Sequence, residues 1–320
     1  MTLDELDRAL LHALHLDGRV PFNHVATVVG ASPQTVARRY RRLRADGVLR
    51  VVGMTDPRRL GQVQWFVRLR CTPDAVLKVA GALARRADTS WVQLMSGGTE
   101  IFCITRGADA PDSLLLQELP KTPRVVSVSA HCLLRSFVGG PVGWHGRATA
   151  LTEEQIAQLT LEDKEPSGEP VDLAGDDRLL ALLQQDGRAA FADLAEALGT
   201  GEASVRRRVG QLRRAGVLYF DIDLDPTMLG MKAQAVLWMS VRPAQLRTVA
   251  EILARHPEVA LVAATTGATN LLAKVLCRDV DSLYTYLADS VGGIDAVGHV
   301  ETAPVIRTLK RAATQSCSRM

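Results

Sequence analysis

A chain of 320 residues with 47% apolar residues has material for more than one packed domain and does not read as disordered. Its formal net charge of +3 is too small to mark a nucleic-acid binder, but arginines concentrate between Arg38 and Arg59 while acids gather from Glu153 to Asp177, so local charge is the informative quantity. No apolar run approaches the ~20 residues that cross a bilayer, and Cys71, Cys103, Cys132, Cys277 and Cys317 lack paired spacing, which points to a cytoplasmic protein with no membrane partner, no metal and no cofactor.

Thr2 to Glu5 has a capping-box pattern, and Leu3, Leu6, Leu10 and Leu14 then predict a first helix ending at Asp17-Gly18-Arg19. A second short helix follows over Asn23 to Val29, and Gly30-Ala31 turns the chain into a third. That third helix has Ser32 as its cap, Pro33 in its first turn and Gly47 as its left-handed stop. Within it Val36, Tyr40 and Leu43 form an inward stripe, while Gln34, Thr35, Arg38, Arg41 and Arg42 project the other way. Three short helices with a glycine turn before the last make a helix-turn-helix unit, and a polar, arginine-lined outer face suits a major groove flanked by phosphates. The plain alternative is a solvated arginine face.

Val48 to Gly53 reads as a strand. From Val63 the pattern alternates: strands at Val63 to Leu69, Trp91 to Leu94, Ile101 to Thr105 and Val125 to Leu133, with helices over Pro73 to Arg86 and near Asp112 to Leu119. The order βαββαβ implies a ferredoxin-like sandwich with both helices on one face of a sheet, whose open face needs a partner. Between Gly139 and Leu173 the composition shifts to that of a linker, with one short helix after Thr152, and Trp144 is expected to dock against a sandwich.

The plan then repeats. A shift of about 169 positions places Asp7 on Asp176, Asp17-Gly18-Arg19 on Asp186-Gly187-Arg188, Gly30 on Gly199, Arg38-Arg39 on Arg207-Arg208 and Asp56-Pro57 on Asp225-Pro226. The expected fold class is α+β: two copies of a winged helix-turn-helix domain, each followed by a ferredoxin-like βαββαβ sandwich. The expected domains are 1–55 and 172–224 for the helix-turn-helix modules, 60–138 and 229–310 for the sandwiches, and 139–171 for the linker.

The aspartate before the first helix, Asp-Gly-Arg, the start Ser32-Pro33-x-Thr35-Val36-x-x-Arg39, Gly-Val-Leu, Asp-Pro…Leu-Gly and the glycine turn between the middle strands resemble the Lrp/AsnC family of transcription regulators. The resemblance implies DNA-binding heads joined to sandwiches that pair sheet to sheet and often bind a small amino acid. A chain with two copies supplies the partner sheet internally, so the expectation is an intramolecular pseudo-dimer with two unequal heads, assembling further into a homo-oligomer. The implied function is a sequence-specific transcriptional regulator, not an enzyme, acting on double-stranded DNA under an amino-acid-type effector.

For DNA the candidates are Ser32, Gln34, Thr35, Arg38, Arg41 and Arg42 in the first head and Ser204, Arg207 and Gln211 in the second. Arg39 and Arg208 are expected to pair with Asp7 and Asp176, with phosphate contacts as the alternative. Glu202 at the start of the second recognition helix would repel phosphate, and Gly210 mid-helix costs about 1 kcal/mol relative to alanine, so the first head is expected to supply most of the affinity. For an effector, the family places an acid after the glycine turn, which selects Gly97, Gly98, Thr99 and Glu100, and in the repeat Gly267, Thr269 and the uncharged Asn270. A plain strand connection is the alternative there. The seven histidines are isolated, and no phosphate-cradling or nucleophile motif is present. Two other classes share the plan: a sirohaem-decarboxylase-like enzyme using His and Arg in the sandwich cleft, and an amino-acid sensor without DNA binding.

Overall fold

A computed structural model describes residues 3–107, 119, 121–122, 124–142, 150–160 and 171–312. The chain divides into two compact units, each assembled from both repeats: residues 1–60 with 147–229, and residues 61–146 with 230–320.

The first unit holds two three-helix heads. In one, α1 (Glu5–Leu16), α2 (Phe22–Val29) and α3 (Pro33–Ala45) precede strand β1 (Leu49–Thr55); in the other, α6 (Asp177–Gln185), α7 (Phe191–Leu198) and α8 (Glu202–Arg214) precede β6 (Leu218–Leu224). The start of α1 departs from expectation. Its capping box is formed by Asp4 and Asp7, whose carboxylates accept from each other's backbone N–H, so the signal lies two residues past Thr2. The Ser32 hydroxyl caps α3 by accepting from Thr35 N at 3.1 Å, and Gly30 and Gly47 have φ of +67° and +69°. Leu10, Leu14, Val25, Val36 and Leu43 are buried together, matching the inward stripe read from α3.

The strand after each recognition helix pairs with its counterpart from the other head. β1 and β6 run antiparallel, from Leu49 opposite Leu224 to Thr55 opposite Leu218, and carry Ile222 and Leu224 into the first head's core. The stretch between the repeats contributes α5 (Glu153–Thr160) to the same core through Leu151 and Leu159. Its capping box is complete, with Thr152 N donating to Gln155 Oε1 and Gln155 N to Thr152 Oγ1. Trp144 lies outside the described residues.

The second unit contains β2 (Val63–Cys71), α4 (Val76–Arg85), β3 (Thr89–Met95), β4 (Glu100–Gly107) and β5 (Val125–Val138) from the first repeat. The second repeat adds β7 (Ala233–Val241), α9 (Leu246–Leu253), β8 (Val259–Thr265), β9 (Leu271–Cys277), α10 (Val280–Thr285) with a π-helical turn to Val291, and β10 (Val297–Thr308). The helix expected near Asp112 to Leu119 falls, Leu119 apart, outside the described residues. Each repeat forms the antiparallel order of a split βαβ sheet, β3-β4-β2-β5 and β8-β9-β7-β10. β5 runs past its expected end at Leu133, and β10 is likewise long, because beyond their own sheets they pair with β8 and β3 of the other and close an eight-stranded barrel. Closure leaves no free sheet edge.

Alternation sorts the side chains of that barrel. On β2, Val67, Leu69 and Cys71 face α4, while Phe66 faces the other sheet together with Phe102, Ile104, Val236, Trp238 and Leu272. Phe66 and Trp238 are each 1% exposed, and burying an aromatic of this size is worth roughly 2–3 kcal/mol. The open sheet face that each βαββαβ unit leaves is therefore covered by the matching face of its repeat.

Candidate nucleic-acid interface

The two heads are joined by the Asp-Gly-Arg turn that the repeat made conspicuous and to which the sequence assigned no role. Arg19 donates to the carbonyls of Gly187 (2.8 Å) and Ala189 (3.0 Å), and Arg188 returns the contact to Gly18 (2.7 Å) and Val20 (3.0 Å). Each guanidinium lies 4.2 Å from an aromatic ring of the other head, Arg19 over Phe191 and Arg188 over Phe22. Arg44 pairs with Asp186 at 2.7 Å, and Arg213 with Asp17 at 3.3 Å. Every contact is matched by its counterpart, the signature of an approximate two-fold relation. Burial, aided by the positive charges of Arg188 and Arg213, pushes the Arg19 guanidinium down to about 10, and burial likewise lowers Arg188. Only glycine fits beside them, since a Cβ on Gly187 would stand 2.9 Å from the carbonyl carbon of Val52.

This clasp leaves the outer faces of α3 and α8 in solvent. Gln34, Arg38 and Arg41 of the first head and Ser204 and Arg207 of the second are exposed, and Arg38 and Arg207 make no hydrogen bond or ion pair among the described residues. Arg41 donates to the Ala37 carbonyl of its own helix. Ser32 and Thr35 are partly occupied by each other, their hydroxyls 2.9 Å apart.

Arg42 needs a correction. Exposed on the outer side of α3 as expected, it is not free: it reaches back to the fully buried Asp7, Nη2 to Oδ2 at 2.6 Å, while Arg39 bridges Asp4 at 2.6 Å and Asp7 at 3.5 Å. A carboxylate with no solvent needs compensating charge, and α3 offers it from residues three apart on the flank facing α1. In the second head Arg208 holds Asp176, and Gln211, exposed at the place of Arg42, accepts from Arg208 at 3.3 Å. Glu202 is bound by Arg206 at 2.9 Å, and that guanidinium also covers Phe191.

The glycine turns of the barrel unit also differ from expectation. Gly97 and Gly98 have φ of +72° and +85°, and Gly97 and Thr99 are exposed. Glu100, however, is 3% exposed and already bound: Arg68 donates to both of its oxygens at 2.7 and 3.1 Å, Arg70 at 2.8 Å and the Ser96 hydroxyl at 3.2 Å. Arg68 donates as well to Glu301 on β10, at 2.8 Å through Nη1. Burial works against ionisation of Glu100, but the hydrogen bonds and charges of Arg68 and Arg70 outweigh it and hold the carboxyl below its usual range. It is thus committed inside the protein and does not await an ammonium group. In the repeat, Asn270 pairs with the backbone of Val241 through both Oδ1 and Nδ2, Thr269 accepts from Thr265 through its carbonyl, and Gly267 lies against His131, whose ring meets Trp238 at a tilt of 42° with ring centres 4.9 Å apart.

No group of three or more His, Cys, Asp and Glu side chains fit to hold a metal occurs among the described residues, and no helix among them is long and apolar enough to cross a membrane.

Comparison with known proteins places this geometry. A profile described as the AsnC-type helix-turn-helix domain matches residues 3–44 and again 174–213, and one described as the Lrp/AsnC ligand binding domain matches residues 234–314. An uncharacterised HTH-type transcriptional regulator of Pyrococcus abyssi is 31% identical over 137 residues, 42% of this chain and 86% of its own. The HTH-type transcriptional regulator LrpA of Pyrococcus horikoshii is 30% identical over 133 residues, covering 41% and 94%. Among solved structures, the siroheme decarboxylase NirDL covers 98% of this chain and 95% of its own with a TM-score of 0.64 at 17% identity, a likeness of fold.

Proposed function

Because the chain belongs to the Lrp/AsnC family, we propose that it is a sequence-specific regulator of transcription that meets duplex DNA with both heads of its first unit. The observation that carries this reading is the reciprocal clasp of Arg19 and Arg188: it presents two recognition helices as one body and leaves Arg38 and Arg207 unpaired on their outer faces. Uncompensated arginines on exposed helices have no structural work to do, and phosphate and base edges are the partners that suit them.

Regulation by a small amino-acid-type effector belongs to the same reading. The exposed backbone at Gly97, and at Gly267 in the repeat, offers N–H groups to a carboxylate; Glu100 takes no part. Association of whole chains into larger homo-oligomers is the expected setting for such control.

Mapping the protein on chromosomal DNA by crosslinking, with and without candidate amino acids, tests the proposal. Discrete occupied sites whose pattern shifts with an amino acid support it. The absence of sites, together with turnover of an iron tetrapyrrole by the purified chain, would transfer it to the enzymatic class that shares its fold.

A further inference from the structure

The scaffold of the first unit is symmetric, but the faces it presents are not. Across the clasp the contacts are matched pair for pair, whereas at equivalent outer positions of α3 and α8 Gln34 stands against Ala203, Ala37 against Arg206 and Arg41 against Gly210. The first head offers, in Gln34, an amide that can bind adenine at two edges and, in Arg41, an exposed guanidinium suited to guanine. At these places the second offers the methyl group of Ala203 and the bare Gly210, while its additional Arg206 is held by Glu202 over Phe191; Arg38 and Arg207 hold equivalent places and suit phosphate in both heads. The missing side chain at Gly210 leaves an open groove along α8, bordered by Arg207 and Arg214.

Resting on the DNA-binding reading above, we propose that the cognate operator is not a palindrome. One half-site is read at its base edges by Gln34 and Arg41, the other is gripped through phosphates by Arg207, and the complex forms in a single orientation. A homodimer of identical heads selects a palindrome because the same side chains meet both half-sites. Two heads fused in one chain are free of that constraint, and here their reading residues have separated while the residues joining them have not.

Selection of binding duplexes from a randomised pool, using the full chain and its Gln34→Ala, Arg41→Ala and Arg207→Ala variants, tests this. These side chains are exposed, so the variants retain the fold, which matching thermal melts will verify. The native chain is expected to enrich a motif with base preference concentrated in one half-site. Gln34→Ala and Arg41→Ala should relax that half and lower the ratio of specific to nonspecific affinity by about 10-fold, whereas Arg207→Ala should weaken binding to all duplexes alike and leave the motif unchanged. A palindromic motif, or loss of base preference in a second half-site with Arg207→Ala, overturns the inference while leaving DNA binding intact. Failure to enrich any motif overturns the DNA-binding reading, and this inference with it.

Discussion

The guanidinium carbon of Arg68 lies 5.9 Å from the centre of the Trp238 ring, although the two residues hold the same place in two copies of one sandwich. Arg68 stands opposite Phe102 on β4, and Trp238 opposite Leu272 on β9, the equivalent positions of their repeats. In a dimer of identical chains each of these positions would meet its own copy, arginine against arginine. Fusion of the copies allows unlike partners, and the barrel uses that freedom: Arg68 binds Glu100 and Glu301, while Trp238 lies 1% exposed among apolar side chains and under His131.

Removing Arg68 should therefore destabilise the barrel unit well beyond the loss of one surface ion pair. Arg68→Ala leaves Glu100 buried with Arg70 and the Ser96 hydroxyl, and breaking a buried pair costs about 3–5 kcal/mol. The lower end, about 3 kcal/mol, is expected because Arg70 remains. Urea denaturation of the purified variant measures it, and a change below about 1 kcal/mol would show that the pair is dispensable.

The same cluster predicts an acid limit. Hydrogen bonding to Arg68 holds the Glu301 carboxyl below the usual glutamate value, and Glu100 is lowered as well once its arginine partners have outweighed its burial. A carboxyl whose folded value is depressed contributes stability that is present above its unfolded value, near 4.5, and lost as pH falls through the folded value. Thermal melts from pH 6 to pH 3 should show stability declining below about pH 4.5, with a shallower decline in Arg68→Ala. Identical slopes for the two proteins would contradict the assignment.

Glycine at the clasp and glycine in the recognition helix make opposite predictions. Gly187→Ala would press a methyl group to within 2.9–3.0 Å of the backbone of Val52 and Gly53, atoms that cannot yield without parting the heads. A loss of about 1–3 kcal/mol is expected. Gly210→Ala would meet only the movable end of Arg214 at 3.2 Å, and helix propensity favours it by up to about 1 kcal/mol. Differential scanning calorimetry should separate the two by sign.

Much of this was legible in the sequence. The helix boundaries at Ser32 and Gly47, the strand periodicity and the duplication all rest on local chemistry or on comparison of the chain with itself. The roles of Asp-Gly-Arg and Glu100 were not, because their partners come from elsewhere: Arg19 is satisfied by the carbonyl of Gly187 in the other repeat, and Glu100 by arginines some thirty positions earlier. Arg42 shows the same limit at short range. Its helical position placed it on an outer flank, where its side chain is still 41% exposed, and only the depth of Asp7 below α3 draws its guanidinium back to a carboxylate.

Glu202 restrains the second head. Glu202→Gln removes a negative charge from the first turn of α8 and frees Arg206, now 2.9 Å from it, to reach phosphate. Duplex affinity should rise about 3-fold or more at moderate salt, with a steeper salt dependence, as one more released counterion requires. Unchanged affinity in a fluorescence anisotropy titration would mean that α8 does not approach the backbone.

The central claim is that two clasped heads meet DNA through the unpaired arginines of α3 and α8, and the slope of log affinity against log salt measures it most directly. Each phosphate contact contributes about 0.9 to that slope. Arg38→Ala should flatten it by about that amount and weaken binding at every salt concentration, while Arg42→Ala, whose partner is Asp7, should lower thermal stability and leave the slope in place. Equal slopes for the native chain and Arg38→Ala, or a flattened slope with Arg42→Ala alone, would contradict the account.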